Sequence, residues 1–307
     1  MPLFHGLSAF PLTPTDMDGR VDTDSLRRIL DRLVAAEVHS VGLLGSTGGY
    51  AYLDRAERRR AVEAAAGHLA GRVPLVVGVG ALRTDAAMAL AQDARAAGAD
   101  GLLLAPVSYT PLTEDEVFVH VRAVAEAGGL PLCLYNNPST THFIFTTELI
   151  ARLAALDEIV AIKMPLPAGR TIADEIVELR GRVPDGFAIG YSGDWGCAEA
   201  LLEGADAWFS VLGGLFPRTS MRIVAAARDG DAATVHEIDA RLGSTWDLFR
   251  QHGSLRVVYA MARMLDLTKA EPPRPILPLP TEEEPRIRAA MAEIDELEGK
   301  AKSAIGE

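Results

Sequence analysis

The sequence predicts a closed (β/α)8 barrel with a C-terminal helical extension, on three observations. Eight short apolar runs recur from the N-terminus to beyond the middle, at residues 6–10, 40–44, 74–78, 101–104, 130–135, 158–165, 187–190 and 207–210. Amphipathic, helix-like segments separate them, among them 24–37, 54–69, 84–97, 113–127, 146–156 and 194–203. The runs are apolar throughout instead of alternating, as parallel strands covered on both faces are. Eight such units close a barrel better than they fill an open sheet. The 307 residues could be divided into two domains, but a barrel of about 250 residues is a familiar single-domain case.

Taken in order, the first run leads into Pro11-Leu12-Thr13-Pro14, where a dinucleotide-binding sheet would need a glycine-rich turn, and Gly78-Val79-Gly80 lacks a third glycine. Thr84 followed by Asp85 offers an N-cap with first-turn negative charge, and Thr113 with Glu116 has capping-box spacing. Asp194 reads as the N-cap of the helix that runs from Trp195 to Glu203. Beyond the eighth run, residues 218–267 read as helices broken near Asp229-Gly230 and Gly253-Ser254. The proline-rich Glu271-Pro272-Pro273-Arg274-Pro275 then precedes a last charged helix from Thr281. The expected division is therefore a catalytic barrel over 1–217 and a helical region over 218–307 packed on it, which is too long and apolar for a disordered tail.

Composition limits the partners. With 42 acidic and 30 basic residues the formal charge is -12, and no Lys/Arg cluster interrupts it, so no nucleic-acid partner is expected. No signal-type segment and no apolar stretch approaching the roughly 18 residues of a membrane span are found, so a soluble cytoplasmic protein is expected. Cys133 and Cys197 are too few for a disulfide framework and suit a reducing compartment, Cys133 as a buried strand residue. The seven histidines form no HExxH or paired ligand spacing, so no metal is expected.

Lys163 closes the apolar run Glu158-Ile159-Val160-Ala161-Ile162-Lys163-Met164-Pro165. A lysine there either snorkels to solvent, pairs with a carboxylate, or works as a neutral amine, because burial disfavours the charged form. In a barrel the chemistry collects at the C-terminal ends of strands. The other ends carry Gly45-Ser46-Thr47-Gly48, Tyr135-Asn136-Asn137-Pro138 and Tyr191-Ser192-Gly193-Asp194, and Ser210 ends the eighth run. Hydroxyls and free N–H groups in a glycine-flanked loop can hold a carboxylate, and a phenol can move protons near an amine. Together they suit Schiff-base chemistry on a 2-oxo acid.

Over nearly the whole chain these residues resemble the dihydrodipicolinate synthase and N-acetylneuraminate lyase superfamily, the pyruvate-dependent class I aldolases. Gly45-Ser46-Thr47-Gly48 is similar to the family's G-[ST]-T-G-E loop, Tyr135-Asn136-Asn137-Pro138 to its Y-N-x-P, Ile162-Lys163 to its G-I-K and Ser192-Gly193-Asp194 to its S-G-D. The resemblance implies Lys163 as the imine-forming lysine, Tyr135 as the proton-relaying phenol, and Ser46 and Thr47, with Gly48 closing their loop, as the carboxylate site. Ser46 would also stand in the relay, and Ser210 is counted with the substrate-binding residues. No cofactor beyond the covalent imine and no metal is implied, and the assembly implied is a homotetramer or homodimer.

Departures from the family pattern concern the second substrate. The synthases' arginine after Y-N-x-P-S falls at Thr140, so an aldehyde carboxylate would lose a charge-assisted contact unless Arg83 reaches in. The acidic residue after S-T-G is Gly49, the residue after the lysine is Met164, and the tyrosine a neighbouring subunit lends falls at Ser108, with Tyr109 next to it as a substitute. Met164 and Pro165 are expected to make an apolar floor, Tyr191 and Trp195 to shape the mouth, Trp208 and Phe209 to be core, and Tyr50 and Tyr52 to face another subunit. The expected function is a lyase acting on pyruvate or a related 2-oxo acid and an aldehyde, set apart from a true synthase. The alternatives are a 2-keto-3-deoxy sugar acid aldolase or dehydratase, an N-acetylneuraminate lyase-like enzyme, and a non-catalytic 2-oxo-acid binder.

Overall fold

In a computed structural model, which describes residues 2–304, the eight runs become strands β1 (Gly6–Ala9), β2 (Ser40–Leu43), β3 (Leu75–Gly78), β4 (Gly101–Leu104), β5 (Leu132–Tyr135), β6 (Ile159–Met164), β7 (Ala188–Tyr191) and β8 (Ala207–Ser210). All neighbours pair in parallel, and β8 returns to β1 to close the barrel. Between and after the strands lie α1 (Thr23–Ala35), α2 (Arg55–Leu69), α3 (Thr84–Ala96), α4 (Glu114–Gly128), the single-turn α5 (Pro138–Thr141), α6 (Thr147–Ala154), α7 (Ile172–Arg180) and α8 (Asp194–Leu202). They continue with α9 (Pro217–Arg228), α10 (Ala232–Arg241), α11 (Gly243–His252), α12 (Ser254–Met264) and α13 (Glu284–Ala304).

Local chemistry accounts for most of these elements. Helix α1 starts where the Asp22 carboxylate accepts the N–H groups of Asp24 and Ser25, and it buries Leu26, Ile29, Leu30 and Leu33, a stripe at helical spacing. Each of those side chains contributes about 2 kcal/mol by leaving water, so a charge at Leu30 would break the packing of α1. The capping box of Thr113 and Glu116 opens α4 as expected, and Gly129 ends it at φ 56°. The expected cap at Thr84 does not form. Arg83 occupies the N-cap position without a side-chain bond, and the Thr84 hydroxyl lies 3.0 Å from His120 Nδ1 on α4.

Helix α9 follows β8, packs on β1 and α8, and so completes the ring of barrel helices. The division expected at residue 217 therefore falls at the start of the eighth barrel helix and not after it. A break at Leu242, between α10 and α11, was also not foreseen, whereas Gly253, at φ 80°, does separate α11 from α12. The C-terminal helices are tied to the barrel by Tyr259 Oη donating to Thr13 O (3.1 Å) and Thr219 N donating to Glu298 Oε1 (3.0 Å). No described helix is long and apolar enough to cross a membrane.

Two packed layers result from the period-2 alternation of the strands. Phe4, Val76, Leu103, Cys133, Ala161 and Phe209 fill the barrel, whereas Leu43, Leu104, Ile162, Met164 and Trp208 belong to the larger core outside it. The interior is kept open for aromatic rings by small residues. A Cβ on Gly42 would lie 2.3 Å from the Phe10 ring, and one on Gly45 would lie 2.6 Å from it.

Candidate active site

Lys163 lies on the inward face of β6, in register with Tyr135 of β5 and Gly190 of β7, and is 3% exposed. Its Nζ stands 4.0 Å from the centroid of Phe10, 4.1 Å from that of Tyr135 and 5.6 Å from that of Phe209. No carboxylate lies within 4.0 Å of it among the described residues, so neither snorkelling nor ion pairing describes this lysine. Lys163, Tyr135, Ser46 and Thr47, drawn from three separate strand ends, line one cavity of about 350 Å³.

The hydroxyls are connected. Tyr135 Oη and Ser46 Oγ are 3.4 Å apart, and Asn137 Nδ2 donates to both, at 3.0 Å and 3.4 Å respectively. The turn after β2 carries Ser46 and Thr47, whose backbone N–H groups donate to no protein acceptor among the described residues. Two free donors beside a threonine hydroxyl form an anion-binding concavity. Gly48 is buried in this turn without lining the cavity. A Cβ there would meet the Leu44 backbone at 3.0 Å, so its role is to let the turn coil.

Arg58 supports this side from behind. Its guanidinium donates to Gly78 O (2.7 Å) and Gly80 O (3.0 Å) and lies over the Tyr50 ring at 5.3 Å. Burial pushes Arg58 down to about 10 and Tyr50 up to about 12. Tyr50 is thus an internal residue, against the expectation of an interface role, whereas Tyr52 is 45% exposed.

Several expected site residues are elsewhere. Arg83 is bound through Nε and Nη2 to Asp85 on the exposed surface, and Thr140 faces solvent on α5 with its hydroxyl on Asn137 O, whereas Tyr109, expected in the place of a tyrosine lent between subunits, is 96% exposed on its own chain. Ser210 is fully buried, and its Oγ accepts the Gly213 N–H at 2.8 Å, which shapes the turn after β8 without reaching the cavity. Met164, one residue from Lys163 and hence on the opposite face, packs in the outer core, so only Pro165 supplies the apolar floor. Tyr191 also points outward, donating to Glu175 Oε2 at 2.8 Å, whereas Trp195 lines the mouth as expected.

Asp194 is not the N-cap of α8, because Gly193 at φ 95° takes that position. The Asp194 carboxylate instead accepts Trp208 Nε1 (2.6 Å) and the N–H groups of Val211 and Leu212 (both 3.1 Å), tying α8 to the turn after β8. Burial raises its pKa against the lowering effect of those bonds. Unforeseen wall residues are Phe10, Asn137, Leu166, Val211, Phe249 and Ser254, and Phe209 proves to be wall as well as core. Asn137 was visible inside its motif, while Phe249 and Ser254 come from α11 and α12, with no local signal.

A parallel barrel with a buried lysine amine beside a phenol and an anion-binding turn at its C-terminal face defines a barrel lyase. The chain belongs to the Dihydrodipicolinate synthetase family, whose model matches residues 3–294. It is 35% identical to 4-hydroxy-tetrahydrodipicolinate synthase of Methylococcus capsulatus over 254 residues, covering 82% of this chain and 86% of that one. The corresponding enzyme of Azoarcus sp. is also 35% identical, over 91% of this chain and 94% of its own. The crystal structure of dihydrodipicolinate synthase from Agrobacterium tumefaciens superposes with a TM-score of 0.94 at 56% identity, covering 95% of this chain and 98% of that one. The chloride-inhibited dihydrodipicolinate synthase from Acinetobacter baumannii, solved in complex with pyruvate, gives a TM-score of 0.87 at 25% identity over 95% and 99% of the two chains.

Proposed function

We propose that the protein forms an imine between Lys163 and pyruvate, or a related 2-oxo acid, and joins the resulting enamine to an aldehyde or releases it from one. The observation that carries this reading is the buried Lys163 amine sharing a cavity with the Tyr135, Ser46 and Asn137 hydrogen-bond chain. The pyruvate complex of the Acinetobacter baumannii relative supports the choice of 2-oxo acid.

In the reaction the pyruvate carboxylate lies on the free N–H groups of Ser46 and Thr47, which aims its carbonyl carbon at Nζ. Attack gives a carbinolamine. Tyr135 Oη, in contact with Ser46 Oγ, supplies the proton with which the carbinolamine hydroxyl leaves as water, and it later accepts the methyl proton as the enamine forms. The aromatic rings around Nζ exclude water from the amine. No cofactor enters this scheme, because the protonated imine is itself the electron sink.

We propose further that the protein works in the cytoplasm as a homotetramer or homodimer. Two free, buried thiols support a reducing compartment. The exposed apolar side chains of Tyr52, Leu82 and Tyr109, on successive loops beside the mouth, support contact between copies.

Incubation with pyruvate and borohydride, followed by intact and peptide mass spectrometry, tests the imine. A reduced adduct on Lys163 that is absent from Lys163→Ala is expected, and folded protein without an adduct sinks the reading.

A further inference from the structure

We infer that the electrophile is an aromatic aldehyde bearing no carboxylate, an inference that rests on the imine chemistry proposed above and extends it to the class of the second substrate. The cavity has two unlike sides. The hydroxyls and N–H groups that receive the 2-oxo acid come from the ends of β2 and β5. The apolar part of the side that remains is made by Leu166 after β6, Trp195 on α8, Val211 after β8 and Phe249 on α11, with Ser192, Asp194 and Ser254 beside them. Leu166 is seated against α8, where a Cβ on Gly196 would lie 2.6 Å from its Cδ1, so this part of the wall holds its shape. A shape-holding apolar wall with Phe249 buried in it and Trp195 at its rim accommodates a flat ring.

Charge argues against a second carboxylate. Among the described residues lining the cavity, Lys163 is the one lysine or arginine, and its nitrogen is neutral in the enamine that meets the aldehyde. Arg83 is held by Asp85, and Thr140 presents a solvent-facing hydroxyl where a guanidinium would be needed. The buried Asp194 carboxyl also lines this side, its oxygens already taken by Trp208 Nε1 and the N–H groups of Val211 and Leu212, so an incoming carboxylate would lose its water with no cation to receive it. A polyhydroxylated aldehyde fares little better. Ser192 Oγ already donates to Met164 O at 3.2 Å and Ser139 Oγ to Asn137 Oδ1 at 2.8 Å, so these hydroxyl protons are engaged within the protein, which leaves Ser254, among the described residues, as the single lining serine of this side free to serve a substrate hydroxyl.

In the condensation the former methyl carbon of pyruvate, as the enamine carbon, forms a bond to the aldehyde carbon while the aldehyde C=O π bond breaks. The resulting alkoxide takes up the proton that the methyl group gave to Tyr135. Hydrolysis of the imine returns the water released when it formed, frees Lys163 and yields a 4-aryl-4-hydroxy-2-oxobutanoate. All atoms of both reactants are in the product.

The experiment uses the full-length protein. Borohydride trapping with pyruvate comes first, and then kcat/KM is measured at saturating pyruvate for benzaldehyde, succinic semialdehyde and glyceraldehyde. Trapping together with a benzaldehyde kcat/KM at least about tenfold above both others is expected, as is a shift of at least about tenfold toward succinic semialdehyde in Leu166→Arg. The unaltered chain decides the matter even if that variant does not fold. Trapping without benzaldehyde consumption, or with either other aldehyde used as well as benzaldehyde, overturns the inference and leaves the imine reading standing. Absence of trapping overturns both.

Discussion

On the β2 and β5 side of the cavity, Ser46, Tyr135 and Asn137 are joined by contacts of 3.0–3.4 Å, whereas on the β6 to β8 side Leu166 is held by its fit against α8 and Phe249 is buried at 2% exposure. A hydrogen-bonded wall determines where a proton can travel, while a packed wall determines which shapes can enter. Lys163 lies at the seam between them, on β6 and beside Tyr135. Under the proposed chemistry, reaction type and substrate choice fall to different parts of the chain, and substitutions on one side should leave the signature of the other.

The largest effect is expected from Tyr135→Phe. It removes the hydroxyl that meets Ser46 and Asn137 while keeping the ring over Nζ, so kcat should fall by about 10²- to 10⁴-fold with the ratio of kcat/KM between aldehydes preserved. Steady-state kinetics with two aldehydes checks both, and a changed ratio would erase the separation of roles.

A smaller effect lies behind the hydrogen-bonded wall, at Tyr50. Its phenol is raised from 10.0 to about 12, so between those pH values the folded state holds a proton that the unfolded state has lost, and stability falls as pH rises. Arg58, lowered from 12.5 to about 10, works in the opposite direction, because there the unfolded state holds the extra proton. Tyr50→Phe removes the first contribution and, with it, the phenolate charge that partly offsets the lowering of Arg58, so the two changes act in the same direction. Relative to the parent, its stability should rise by about 2–3 kcal/mol from pH 10 to pH 12, read from denaturant unfolding of the two proteins across that range.

The smallest effect is expected from Trp195→Ala on the packed side. Loss of the rim indole should raise KM for the aldehyde by about tenfold while the rate of borohydride trapping with pyruvate stays within about twofold. Equal losses in both measurements would mean that the two sides act as one.

The barrel was legible in the sequence because its signals are local: apolar runs of strand length, helical stripes, and caps such as Thr113 with Glu116. The residues brought together at the cavity were legible because strand ends converge in a barrel whatever the loops do. Failures occurred where distant partners decide. Nothing near Thr84 announces His120, and nothing near Asp194 announces Trp208 Nε1 or the N–H groups after β8. Phe249 belongs to α11, and only the packing of the C-terminal helices brings it to the mouth. Met164 is different, since strand alternation alone already turned it away from Lys163.

If Lys163 forms the proposed imine, its position at the seam has a stereochemical consequence. An aldehyde whose oxygen turns toward the Tyr135 hydroxyl and whose body turns toward Leu166 and Phe249 has only one of its two faces open to the enamine carbon. Reversing that face would carry the oxygen into the apolar wall and the ring among the hydroxyls, two mismatches at once. The new carbinol carbon would then be formed with a single hand, a chirality written by the order of strands around the barrel and not by any one side chain.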